Sequence, residues 1–429
     1  MKIFILVAFI LTYVLIISLP KYKMYITSVS AVLCASALMI FGWTGFVGVL
    51  ESIDYNVVLM LLGIMITVGM FSESGMPNKL ADKMATAIPN TLITIILLSV
   101  LSGLISAFID NVATVLMLAP IGLAISKKAG VSPIPVIISI AVSSNLQGAA
   151  TLVGDTTSIM LGGFADMNFL EFFFLDGKLS IFWAVELGAL MTIPVLYFIF
   201  RKSGKKMKLE PQEIQVSSVM PTLFLLLTIA LLIAFSFIPN KLELTNGIIC
   251  MSVGVVSLIH YFITKKGKEI GRILKASIDY ETIVFLTSLF VIIFAVERVG
   301  IIADISSVFV SIGADNVFLL YTIIVFGSVL CSAFIDNIPY VATMLPVIQG
   351  LSAGLPGVSP YLLYFGLLCG ATLGGNLTPV GASANVVGTG ILRKEGYNVK
   401  NGDFFKIGIP FTLVAVLSGY ALIWFVWGM

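Results

Sequence analysis

Two six-residue runs, Ser106-Ala107-Phe108-Ile109-Asp110-Asn111 and Ser332-Ala333-Phe334-Ile335-Asp336-Asn337, each put a carboxylate and a carboxamide in the middle of a long apolar stretch. An ionisable side chain at membrane depth costs roughly 2.5–3.5 kcal/mol on insertion scales, so it usually has a task. Each Asp-Asn step is expected to sit between two half-helices. A carboxylate there can cap the free N–H groups of the second half-helix and face the positive end of its dipole. It can also offer oxygens to a small cation, with Na+ held by Asp110, Asn111, Asp336 and Asn337, or accept a proton. The plainer alternative is that both aspartates act only as helix caps. Thr114, just beyond the first pair, adds a neutral hydroxyl to the candidate set.

Two further apolar runs are broken by small and polar residues. The first passes through Ser143, Ser144, Asn145, Gly148, Thr151, Gly154 and Asp155; the second passes through Gly374, Gly375, Asn376, Thr378, Gly381, Ser383 and Asn385. Unwound backbone frees carbonyl oxygens, and Ser, Thr and Asn add neutral ones, a set suited to hard cations or hydroxyl-bearing solutes. Close helix packing through small residues is the competing explanation, but it leaves the repeated Asn and Thr unexplained. Asp155 has no acidic counterpart, since the matching position is Ala382. It is either a third titratable group or a solvated one.

The elements that must position these residues are set by the bilayer. Hydrophobic residues make up 59% of the 429 and charged ones 11%, far below the roughly one quarter usual in soluble domains. Stretches long enough to cross a membrane run over 3–19, 25–43, 55–74, 133–165, 180–200, 218–238, 243–264, 281–297, 358–392 and 405–428. The stretches 90–125 and 316–350 carry the Asp-Asn breaks and read as re-entrant hairpins. With ten crossings and two hairpins, all but four of the 24 Lys and Arg fall on one side; the exceptions are Lys2, Lys178, Lys241 and Arg298. The positive-inside rule makes the crowded side cytoplasmic and puts both termini outside. The segments 77–88 and 301–312 are amphipathic and expected at the interfaces.

The motifs repeat in order. Ser52-Ile53-Asp54-Tyr55 returns as Ser277-Ile278-Asp279-Tyr280, the Asp-Asn runs follow at a shift of 226, and Gly148/Thr151/Gly154 return as Gly375/Thr378/Gly381. Five crossings per repeat make the second repeat upside down relative to the first. The fold expected is an all-α polytopic membrane protein of two inverted repeats, each with five transmembrane helices and one re-entrant hairpin. The first repeat covers 1–201, a cytoplasmic linker 202–217, and the second repeat 218–429.

At these residues the chain resembles the ion transporter superfamily, in particular its P-protein-like and arsenite-permease-like branches, related to the D-type Na+/H+ antiporters and the divalent anion–sodium symporters. The similarity runs over nearly the whole chain. It implies a scaffold domain, a transport domain of hairpins and broken helices, elevator-type movement and a homodimer. Dicarboxylate carriers of the superfamily show Ser-Asn-Thr at the hairpin tips, where this chain has Asp110-Asn111-Val112 and Asp336-Asn337-Ile338. A di- or tricarboxylate bound there would need protons or cations to neutralise the added charge. The P-protein-like branch commonly shows Gly-Asp-Pro-Pro-Asn where this chain has Gly154-Asp155-Thr156-Thr157-Ser158.

The function expected is therefore ion-coupled secondary transport across the plasma (inner) membrane, driven by H+ or Na+, with no other cofactor. Candidate cargoes are a small inorganic ion, arsenite or a dicarboxylate of citrate type. An ion channel is the alternative from another class. An enzyme has little support, because the lone His260 has no partner motif and no nucleophile–base pair appears. Cys34, Cys250, Cys331 and Cys369 lie in apolar stretches without close spacing and are expected to pack. The net charge of +2 argues against nucleic acid as a partner.

Overall fold

The computed structural model describes residues 1–204, 214–239, 241–264, 270–355 and 357–429, with only the backbone described at 84, 85 and 312–315. Lys205, Lys206, Lys208, Lys265, Lys266 and Lys268, and most of the expected linker 202–217, lie outside the described residues.

The first half of the chain folds into α1 (Lys2–Ser18), α2 (Lys23–Ile40), α3 (Phe46–Glu51), α4 (Tyr55–Glu73), α5 (Met76–Ala87), α6 (Thr91–Ser106), α7 (Asn111–Ala129), α8 (Pro133–Gly148), α9 (Thr156–Phe164) and α10 (Ile181–Phe200). The second half gives α11 (Met220–Ser236), α12 (Thr245–Thr264), α13 (Ile270–Ser277), α14 (Tyr280–Arg298), α15 (Ile301–Asp315), α16 (Val317–Ser332), α17 (Asn337–Gly354), α18 (Pro360–Gly374), α19 (Ser383–Lys394) and α20 (Asn401–Trp427). From α4 and α14 onward, paired helices start at matching motifs. Asp54 and Asp279 cap them, accepting from Val57 N and Thr282 N at 3.0 Å each, which explains the recurring Ser-Ile-Asp-Tyr. Asn90 and Asn316 cap α6 and α16. Pro133 and Pro360 open α8 and α18, where a missing N–H costs nothing.

Seven helices among the described residues are long and apolar enough to cross a membrane: α2, α4, α7, α10, α12, α14 and α20. The chain is a predominantly helical, multi-pass membrane protein. The strict all-α expectation needs one correction, a ribbon of β1 (Phe174–Leu175) against β2 (Lys178–Leu179). It turns at Asp176-Gly177 with positive φ at both, over buried Met167, Phe169 and Phe172.

The helices pack as two groups. In one, α4 lies along α12 and α2 along α14, with α1 and α11 beside them. Small residues bring α4 and α12 together: a Cβ on Gly254 would lie 2.9 Å from the Gly63 carbonyl oxygen. In the other group α6 packs on α8, α16 on α18 and α10 on α20, with α8 and α18 buried along almost their whole length. His260 stands edge-on to Phe224 between α12 and α11. Cys34, Cys250 and Cys369 are buried, but Cys331 on α16 is exposed, so the packing role expected of all four holds for three.

Candidate functional site

Both Asp-Asn steps form the turns of helical hairpins, α6–α7 and α16–α17, and both aspartates are N-caps. Asp110 Oδ1 accepts from the N–H of Val112 at 3.0 Å and of Ala113 at 3.1 Å; Asp336 Oδ1 accepts from Ile338 N at 3.3 Å. The breaks after α8 and α18 press against these turns in matching ways. Thr151 Oγ1 donates to the Ala107 carbonyl, and Thr378 Oγ1 donates to the Ala333 carbonyl at 2.6 Å.

Beside these bonds, Gly154 and Gly381 let the two backbones touch. A Cβ on Gly154 would lie 2.5–2.8 Å from the carbonyl oxygens of Gly148, Ala107 and Ser106. One on Gly381 would lie 2.7–2.9 Å from those of Gly375, Ala333 and Ser332. Gly154→Ala and Gly381→Ala should each cost about 1–3 kcal/mol by overpacking, seen as a lower melting temperature of the purified protein. An unchanged melting temperature would mean the break is looser than its geometry.

At the centre α8 crosses the start of the second break. Asn145 Nδ2 donates to the Thr372 carbonyl at 2.7 Å and to Asn376 Oδ1 at 3.1 Å, while Asn376 Nδ2 returns a bond to the Val142 carbonyl at 2.9 Å. Asn111 Nδ2 donates to Asn145 Oδ1 at 3.3 Å, and its own Oδ1 accepts from Ser106 at 2.7 Å. The carboxamide oxygen of Asn111 is thereby committed to the protein. Asn385 Nδ2 donates to the carbonyls of Gly375 and Thr378, matching Ser158, which bonds Gly148 O. Thr114 Oγ1 and Asn385 Oδ1 are buried with no hydrogen-bond partner among the described residues.

Asp155 caps α9. Its oxygens accept from Thr156 N and Thr157 Oγ1, both at 2.8 Å, and Asn337 Nδ2 approaches at 3.5 Å. It is 7% exposed, so the side chain is buried although it lines a cavity. Asp110 and Asp336 are both near enough to act on it electrostatically. At the equivalent start of α19, Ala382 supplies no side-chain cap.

A cavity of about 790 Å³ connects this centre to the surface. Its inner end carries half-buried Asp110 with buried Asn111, Asn145, Gly154, Asp155, Asn337 and Ala384, with Ser383 exposed beside them, and Leu61, Ile64, Val68 and Ile159 form part of its wall. Glu73, Arg272, Lys275, Asp279 and Glu281 line its exposed end, where Arg272 is paired to Glu73 at 2.7 Å. Of the residues singled out in the sequence, Asp110, Asn111, Asn145, Gly154, Asp155, Asn337 and Ser383 meet in this cavity. Thr114, Thr151, Asp336, Asn376, Thr378, Gly381 and Asn385 are not among its lining; all but Thr114, whose hydroxyl is unpartnered among the described residues, take part in the bonds and close contacts around it.

The two hairpin aspartates differ in one respect that their identical motifs conceal. Lys23 Nζ, from the first residue of α2, lies 2.9 Å from Asp336 Oδ2, with both side chains 20% exposed, and sits 5.2 Å from the centre of the Phe285 ring. Asp110 has no ion-pair partner among the described residues. Lys23 also lines the cavity, although the charge pattern counts it only as a connector residue. A lysine two residues past Lys21 at a span boundary carries no signal that would assign it to a site 313 residues away. Glu186 on α10 is a second residue the motifs miss, although an acid inside an apolar span is itself a signal.

The profile of a family described as CitMHS, citrate transporter, matches residues 13–370. The chain is 30% identical over 404 residues to an uncharacterized transporter of Mycobacterium tuberculosis, covering 92% of each chain. It is 26% identical to the human P protein, over 86% of this chain and 53% of that one. The crystal structure of the Alcanivorax borkumensis YdaH transporter matches 90% of this chain and 88% of its own at a TM-score of 0.63 and 14% identity. That likeness speaks for the fold alone.

Proposed function

Starting from the fact that the chain belongs to the CitMHS citrate-transporter family, we propose that it is a cation-coupled secondary transporter for a small carboxylate of citrate type. One observation carries the reading: a cavity ends on half-buried Asp110 and buried Asp155 at the point where both hairpin turns and both helix breaks meet. The cation is assigned to Asp110, Asp155 and the carboxamide of Asn337. Asp110 is bonded to the protein through one oxygen, whereas Asp336 is neutralised by Lys23. The coupling role expected of Asp336 therefore passes to Asp155, and the Na+ set narrows accordingly.

The charge balance explains why the solute needs a cation. Five carboxylates line the cavity, Glu73, Asp110, Asp155, Asp279 and Glu281, against Lys23, Arg272 and Lys275. A carboxylate entering alone would meet net repulsion, and Na+ or H+ at the inner aspartates removes part of it. The anion's own place is the start of α19, where Ser383 and Ala384 line the cavity and no side chain occupies the N-terminal N–H groups.

Ala382→Asp would cap α19 as Asp155 caps α9. It should reduce citrate uptake at least tenfold in protein that still folds, measured as radiolabelled uptake together with a thermal melt. Uptake unchanged in a stable variant would move the anion site elsewhere.

The membrane arrangement in this reading is ten crossings and two re-entrant hairpins in two inverted repeats. Hairpin one enters from the cytoplasm, hairpin two from outside, and both termini lie outside. Although α7 is long enough to cross, taking it as a hairpin arm preserves the sorting of positive charge. The cavity mouth lies among Arg272 and Lys275, on the side that sorting makes cytoplasmic, so the conformation described faces inward. The group of α6–α10 and α16–α20 is the moving body and the group of α1, α2, α4, α11, α12 and α14 is the framework. Movement is of elevator type in a homodimer. Purified protein in liposomes, supplied with citrate and a Na+ or pH gradient, tests the proposal. Gradient-dependent, saturable uptake is expected; single-channel current steps would favour a pore.

A further inference from the structure

The repeat relation exposes a buried polar group that has no counterpart. Ala184-Val185-Glu186-Leu187-Gly188 on α10 matches Ala415-Val416-Leu417-Ser418-Gly419 on α20, and the two segments cross at these residues. A Cβ on Gly188 would lie 3.1 Å from Ala415 O, and one on Gly419 would lie 3.5 Å from Ala184 O. Glu186 thus corresponds to Leu417, a 51%-exposed apolar residue.

Glu186 is half-buried. Gln147 Nε2 donates to both of its oxygens, at 2.8 and 2.9 Å. Gln147, itself 2% exposed, fits because position 103 is glycine: its amide occupies the place where a Cβ on Gly103 would be. The equivalent positions are Val329 and Gly374, which lie against each other in the same way. The fold is therefore built once with Gly103, Gln147 and Glu186, and once with Val329, Gly374 and Leu417. Packing alone does not call for the carboxylate, and a carboxylate at membrane depth is costly.

The titratable and charged groups of the packed elements leave Glu186 without a counter-ion. Helices α6 and α8 carry no charged residue. Tyr361, Tyr364 and Cys369 come from α18, Asp403, Lys406 and Tyr420 from α20, and Arg201 and Lys202 from the turn after α10. None of these is hydrogen-bonded or ion-paired to Glu186 among the described residues.

We propose that Glu186 is a proton-binding site of the transport cycle, separate from the cation site at Asp110 and Asp155. This rests on the coupled-transport reading and adds the proton's location to it. An ionised Glu186 accepts from Gln147 through both oxygens; a protonated one keeps a single acceptor oxygen and gains an O–H, so one of the two bonds is lost and the Gln147 amide shifts toward the oxygen that still accepts. Gln147 is followed directly by Gly148, the end of α8, whose backbone abuts the Asn111 side chain. Loading and unloading of the proton is thereby relayed to the break and to the first hairpin turn.

Infrared spectroscopy of the protein in lipid across a pH titration reads carboxyl protonation directly, whatever solute is carried. A carboxyl band that titrates in wild type and is absent from Glu186→Gln is the expected result. The same titration in both proteins would overturn the proposal, even if citrate uptake is normal. Citrate uptake failing in wild type while the band behaves as expected would instead count against the solute reading alone. Where uptake is measured, Glu186→Gln should flatten a pH dependence of about tenfold to less than about twofold. The triple variant Gly103→Val, Gln147→Gly, Glu186→Leu copies the second repeat and should keep its melting temperature while losing the band. Loss of folding in the triple variant, with the band unchanged in Glu186→Gln, would make the pair a packing device.

Discussion

Replacing Asp155 with Asn is expected to abolish cation-coupled uptake, by about a hundredfold or more, while leaving the protein folded. Asn caps helices about as well as Asp, so the bond from Thr156 N survives, while the new NH2 must donate to Thr157 Oγ1 where the carboxylate accepted from it. What disappears is the negative charge, buried beside Asp110 and Asn337 and lining the inner end of the cavity. A hundredfold loss corresponds to about 2.7 kcal/mol, within reach of one desolvated charge–cation contact. Uptake assays in liposomes, with thermal melts on the same preparation, check both halves. Asp155→Asn transporting at the wild-type rate would reduce this aspartate to a cap. Asp110→Asn should behave alike, because its cap bonds can also be kept.

The second large effect is expected at Lys23. Lys23→Ala leaves Asp336 half-buried without its counter-ion. Breaking such a pair from one side costs about 3 kcal/mol, because the remaining charge keeps its desolvation penalty. Removing both partners should cost less than the sum of the single changes, and a double-mutant cycle on melting free energies reads that difference. The exchange Lys23→Asp with Asp336→Lys should recover much of the loss. Additive single effects, or no recovery, would show that the pair at 2.9 Å contributes little. Because α2 belongs to the group around α4, α12 and α14 while Asp336 turns the second hairpin, the pair ties the two groups together. Transport is expected to slow at least tenfold in either single variant.

What could be read from the chain beforehand follows from the cost of polar groups in an apolar setting. Asp110-Asn111 and Asp336-Asn337 stand out because little else in those stretches is charged, and both turned out to be helix-capping turns. The glycine-broken runs foretold Gly154 and Gly381, since only a missing Cβ allows carbonyls so close. Thr151 and Thr378 were found for their hydroxyls, but they bond the hairpin turns rather than the cavity.

Long-range pairing was not legible. Nothing local to Lys23 points to Asp336, and nothing local to Gln147 points to Glu186. Nor does the motif show that Asn145 of one half would bond Asn376 of the other. Identical hexapeptides suggested two equivalent carboxylates, and tertiary context made one of them an ion pair. The exposure of Cys331 was hidden for a related reason: an apolar stretch in a membrane protein can face lipid as readily as protein.

The most direct test of the central claim is citrate accumulation in liposomes containing the purified protein, with Na+ and pH gradients imposed separately and then together. Accumulation above the outside concentration is predicted only while at least one gradient stands, and it should be lost in both Asp110→Asn and Asp155→Asn. Citrate entering equally with no gradient, or undiminished accumulation in those two variants, would contradict cation-coupled transport through this cavity.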